Sequence, residues 1–234
     1  MTTDIGAYDV DVQVDDEVRA KAQEFTDSYV ARLSTTWTEA YSHRLAESRM
    51  RAQAAGAVPE AGEPTLLSGY QYWNVYTVGP VQFFANPPYR PAKIIAGGEL
   101  AYMLGVIWVN PNNSDGGGIP GTVALGSRDY VACFETVNVS DVTNGPDFFV
   151  NDTFPGPAPV VTVVPWFFIA ADPGPQPKIY ETRFGIDVQQ AGQPFAALGT
   201  WHFDIDYEPP YLGLPSVPPQ FQYDIPPRYL VYRQ

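Results

Sequence analysis

Four residues near the end of the chain have the types and spacing of a cation site. His202, Asp204, Asp206 and Glu208 alternate with Trp201, Phe203, Ile205 and Tyr207. Extended backbone would put the imidazole and three carboxylates on one face. Carboxylates suit hard divalent cations such as calcium, and the imidazole widens the choice to transition metals. The solvated face of an outer strand has the same alternation, and that reading, which needs no metal, accounts for the whole run. Asn110-Pro111-Asn112-Asn113-Ser114-Asp115-Gly116 has the Asn and Asp density of a calcium loop. Pro111 stands where the first ligand belongs and Thr122 where the bidentate Glu should be, so the match fails and a hairpin loop is expected.

Catalytic chemistry finds little else to use. There are two histidines, His43 and His202, too few for an acid–base pair argued from spacing. Cys133 in Tyr130-Val131-Ala132-Cys133-Phe134 reads as a small buried residue. It is open to an intermolecular disulfide only if its strand lies at a sheet edge. With no cysteine cluster and no phosphate-binding glycine loop, the sequence predicts no enzyme and no cofactor.

The elements that must position these residues are strands. Gly97 to Asn110 splits by parity into Leu100, Tyr102, Leu104, Val106 and Trp108 against Ala101, Met103, Ile107 and Val109. Apolar on both faces, it predicts a central strand covered on both sides. Further strands are expected over 70–78, 81–84, 93–96, 122–125, 129–139, 160–169, 179–188 and 196–207, separated by Pro/Gly turns. The result is a mainly β chain, a single jelly roll or β-sandwich barrel, occupying residues 57–208.

Two flanks precede the barrel and one follows it. Residues 1–14 form an arm with a short alternating strand over 7–14. Residues 15–56 form a long helix capped by Asp15 or Asp16, with a stripe through Phe25, Tyr29, Leu33, Trp37 and Tyr41. Uninterrupted, it would run about 60 Å, so it either breaks near Ser34-Thr35-Thr36 or reaches beyond its own fold. Residues 209–234 hold seven prolines among Tyr211, Phe221, Tyr223, Tyr229 and Tyr232. Proline does not serve a central strand, so an extended surface arm is expected. The helix stripe and the arm aromatics are the candidate assembly residues.

Charge excludes some partners. The chain carries 26 acidic and 13 basic residues, a net charge of −13, with 16 Asp and only three Lys. Such a field repels phosphate backbones, which argues against nucleic acid. Aspartate excess with scarce lysine also fits adaptation to high salt, where short screening lengths blunt self-repulsion. No 18-residue apolar run is present, and the first residues lack the pattern of a secretory signal.

These features together, acidic and Lys-poor composition, eight-odd strands between Tyr70 and Tyr207, and flanking arms at 1–57 and 209–234, resemble a major capsid protein of the vertical single jelly-roll kind. More narrowly, the chain is similar to the larger of the two capsid proteins of tailless icosahedral viruses of halophilic archaea. The resemblance is one of size and layout and carries over no functional residue. It implies barrels standing upright in a shell, contacts with copies of itself and a second, smaller capsid protein, an internal membrane beneath, and location in the virion capsid after synthesis in the host cytoplasm. The competing expectation is a β-sandwich binding module for carbohydrate or protein, with calcium at the Asp204/Asp206 face.

Overall fold

The computed structural model describes residues 12–31, 73–84, 87–109, 121–190, 193–199 and 227–233. Ten strands and two helices fall within them: α1 (16–31), β1 (Trp73–Val81), β2 (Ile94–Ala96), β3 (Leu100–Val109), α2 (Gly121–Leu125), β4 (Asp129–Asn138), β5 (Thr143–Asn144), β6 (Phe148–Thr153), β7 (Val161–Ile169), β8 (Lys178–Gln190), β9 (Gln193–Gly199) and β10 (Arg228–Tyr232). They form a mainly β fold of two packed sheets. The smaller has the order β1-β3-β7. The larger runs β2-β10-β8-β4-β5, with β6 also on β4 and β9 also on β8.

The central strand is where its pattern demands. Every residue of β3 from Ala101 to Val109 is buried. Ala101, Met103, Ile107 and Val109 meet the large sheet through Phe134, Tyr180, Phe184 and Ile186. Tyr102, Leu104, Val106 and Trp108 face α1 through Ala22, Phe25 and Tyr29. The layers are therefore helix, small sheet, large sheet. Two apolar faces on one strand require two apolar coverings, and the chain supplies one of each kind.

Helix α1 begins as expected: the Val18 N–H donates to Asp15 Oδ1 at 2.7 Å, and Lys21 pairs with Glu17 at 2.6 Å. Residues 12–14 are not the strand expected from their alternation. They lead into the helix, with Val14 against the small sheet. A buried hydrogen bond of 2.7 Å joins Thr26 Oγ1 to the Tyr102 hydroxyl and fixes the helix on β3. Burial pushes the Tyr102 phenol far above its ordinary pKa. The rest of the stretch expected to be helical, residues 32–56 with Leu33, Trp37 and Tyr41, lies outside the described residues.

Three other expectations change. The break expected at Gly79-Pro80 is a bulge inside β1: the pairing with β3 shifts between Val78 and Val81. A proline is tolerated there because β1 pairs only with β3 among the described residues. Gly79 has φ +126°, and a Cβ would sit 2.9 Å from the Tyr102 carbonyl oxygen. Residues 122–125 are helical, forming most of α2 and burying Leu125 in the core. Four residues, Thr-Val-Ala-Leu, carry no period to decide between strand and helix, and their packing decides. The third change is β10. Its residues lie at the end of the segment read as a surface arm, yet they form an inner strand of the large sheet, parallel to β2 and antiparallel to β8. Pro227 precedes the strand, and its carbonyl accepts from the Thr182 N–H at 3.0 Å, so no ladder donor is lost.

Candidate interaction surface

The residues singled out for chemistry or assembly part company in the structure. His202, Asp204, Asp206 and Glu208 lie outside the described residues, as do Tyr211, Phe221 and Tyr223. Among the described residues no group of three or more His, Cys, Asp or Glu is placed to hold a metal ion. No helix among them is long and apolar enough to cross a membrane.

Phe25 and Tyr29 pack on this chain's own small sheet, in place of the subunit contact their stripe suggested. Phe25 meets Tyr102 edge-on at 6.1 Å. Tyr229 is likewise an internal residue, stacked on Tyr180 at 5.9 Å with its hydroxyl 3.4 Å from that of Thr182. Burial raises its pKa to about 12, against the opposing pull of Thr182. The reason is register: Tyr229 and Val231 point inward from β10, while Arg228, Leu230 and Tyr232 take the outer face.

Cys133 sits on β4 with β6 paired on one flank, at Phe149, and β8 on the other, at Gly185. Its strand is therefore not a sheet edge, the condition set for an intermolecular disulfide. The side chain is half-buried on the outer face, and burial, reinforced by Glu135, pushes its thiol pKa up.

What the register assembles instead is the outer face of the large sheet. Ile94, Leu230 and Ile179 lie side by side across β2, β10 and β8. The row continues to Val139, whose N–H donates to the Ile179 carbonyl at 2.8 Å. Ile94 is 63% exposed, Ile179 and Val139 42% each, and Phe149 farther along the face 59%. Beside the row lies an ion cluster. Glu181 is only 8% exposed and accepts from Arg228 Nε at 2.7 Å and from Arg183 at 3.0 Å. Arg228 and Glu181 are directly opposed across the two strands. No reading along the chain pairs residues 47 apart, so this cluster left no signal beyond the outward parity of Glu181 and Arg183.

Burial alone would raise the Glu181 pKa, but hydrogen bonds from Arg228 and Arg183 outweigh it and hold the carboxyl below its ordinary 4.5. A lowered folded pKa adds stability above the unfolded value that is lost as pH falls through the folded one. Glu181→Gln should therefore destabilise at neutral pH by about 1 kcal/mol, since both guanidinium groups are half-exposed. The gap between the two proteins should close as pH falls below 4.5. Thermal melts at neutral and acid pH check this, and a gap of equal size at both would remove the ionic explanation.

The outer face thus presents an apolar row beside one carboxylate shared by two guanidinium groups. No family model matches the chain, and no curated protein does. Among solved structures it is similar to Spo0M, a sporulation control protein from Bacillus subtilis, at 14% identity with a TM-score of 0.25. The match covers 54% of this chain and 47% of that one, so it spans about half the length of Spo0M. A likeness at that score carries no argument about function.

Proposed function

We propose that this chain is a structural subunit of a self-assembling protein shell, a virus capsid protein of the single jelly-roll kind adapted to high salt. The observation that carries the reading is the exposed apolar row on the outer face of the large sheet, on a protein with a net charge of −13. Polar residues would serve a solvated face better, whereas a subunit that meets its neighbours has a use for apolar ones.

Strand order supports the jelly-roll part. A jelly roll winds one long antiparallel ribbon about a barrel, so strands pair from the middle of the chain outward. The pairs β4 with β6 and β3 with β7 follow that rule, and β2 and β8 are separated only by the inserted β10. β1 and β9 depart from it, pairing with β3 and β8 and not, among the described residues, with each other. The partners in this reading are other copies, a second and smaller capsid protein, and an internal membrane below the shell. Its location is the virion. No reaction, cofactor or nucleic acid enters it.

Sedimentation and electron microscopy of the purified protein, in dilute buffer and in molar salt, test the proposal. The Debye length falls from about 30 Å at 0.01 M to about 3 Å at 1 M salt, so self-repulsion fades. Molar salt should raise the melting temperature and produce large, regular assemblies. A monomer throughout, with a melting temperature indifferent to salt, would overturn the reading and favour a binding module.

A further inference from the structure

β10 differs from the other strands in how it reaches its place. Two residues connect β8 to β9, and eight connect β7 to β8, but 27 residues, 200–226, separate the end of β9 from Pro227. A chain of that length can span at most about 90 Å. β10 is also the last element of the described fold, so removing it from its groove breaks no other strand's connection. The groove it occupies is specific. β2 supplies one wall, with the Lys93 carbonyl accepting from the Leu230 N–H and the Gly97 N–H donating to the Tyr232 carbonyl, both at 2.8 Å. β8 supplies the other, with Glu181 gripping Arg228 and Tyr180 stacked on Tyr229. β2 has no other strand partner among the described residues. An empty groove would leave two strand edges unpaired and the pocket for Tyr229 and Val231 open.

From this we propose that the groove between β2 and β8 is a strand-acceptor site, and that in the assembled protein its occupant is residues 227–233 of a second copy. The inference rests on the shell reading, which supplies neighbours at fixed, high local concentration. Exchange reproduces every contact described for residues 227–233, so for this strand the two arrangements differ in which copy supplies it. The groove contacts are the same whichever copy supplies the strand, so what favours its own subunit is the effective concentration set by the 27 intervening residues, and a neighbour in a shell competes on similar terms. The recognised ligand is an extended segment with a leading arginine and alternating inward Tyr and Val, the pattern of strand addition to a sheet.

Leu230 and Ile179 provide the test. They are directly opposed and both on the outer face. The Leu230 N–H points to β2, so this is a non-hydrogen-bonded pair, with Cα atoms about 4.5 Å apart, within disulfide range. Two variants, Ile179→Cys and Leu230→Cys, both also carrying Cys133→Ala, are given different mass tags, mixed in molar salt and oxidised. Exchange predicts a covalent heterodimer. It should be lost when Leu230→Cys is mixed instead with Val123→Cys, an exposed position on α2. The Ile179→Cys/Leu230→Cys double variant, oxidised when dilute, should close within one chain and so shows that the pair can be bridged. A mixture that forms large assemblies without the heterodimer overturns exchange and leaves the shell reading standing. A heterodimer that sediments only as a dimer supports exchange and defeats the shell.

Discussion

Replacing Phe184 by alanine is expected to lower stability by about 3–5 kcal/mol, the range for losing a buried aromatic ring. Phe184 is fully buried at the centre of the core, with its ring 4.8 Å from that of Phe134. It fills a notch that only glycine leaves. A Cβ on Gly105 would overlap the ring, its nearest atoms being Cε2, Cζ and Cδ2 of Phe184. β3 cannot retreat, because Gly105 is paired on both flanks, to Thr77 and to Val164. Gly105→Ala alone should thus cost about 1–3 kcal/mol through overpacking. The pair should be non-additive, since the new methyl enters the space that the ring vacates. Chemical denaturation of the two single variants and the double one measures the coupling. Costs that simply add would show that ring and notch are independent.

Ending the chain at Pro226 is expected to unfold the protein or leave it with loosened packing. Truncation removes Tyr229 and Val231, 3% and 1% exposed, and strips β2 of its strand partner. Loss of the tyrosine ring alone is worth about 3–5 kcal/mol by the standard of other aromatic truncations. Whole domains are stable by only about 5–15 kcal/mol. Far-UV and near-UV circular dichroism with thermal melts checks this, and a truncated chain that melts like the parent would sink it. Read from the sequence as a surface arm, residues 209–234 could be removed without harm to the barrel. The structure reverses that expectation for the last seven described residues.

Alternation by itself determined the layered core. β3, β4, β7 and β8 fall where side-chain parity and the Pro/Gly turns put them, because burial on one face or two is written residue by residue. The two-sided apolar character of Leu100–Val109 required coverings on both sides, and even the division of its residues between them is legible. A helix cap at Asp15 or Asp16 is local chemistry and equally readable, and the structure selects Asp15.

The tertiary structure decided what depends on partners distant in the chain. β6, Phe148–Thr153, ends in Asn-Asp-Thr and does not look like a strand; pairing with β4 makes it one. Arg228 and Glu181 are unremarkable until antiparallel register sets them opposite each other. Tyr229 reads as an exposed ring among prolines, and insertion between β2 and β8 turns it into core. Proline density describes how a segment leaves the regular fold, but it does not record whether the chain returns. That return is a contact between residues nearly fifty positions apart, stabilised by burial that no local pattern encodes.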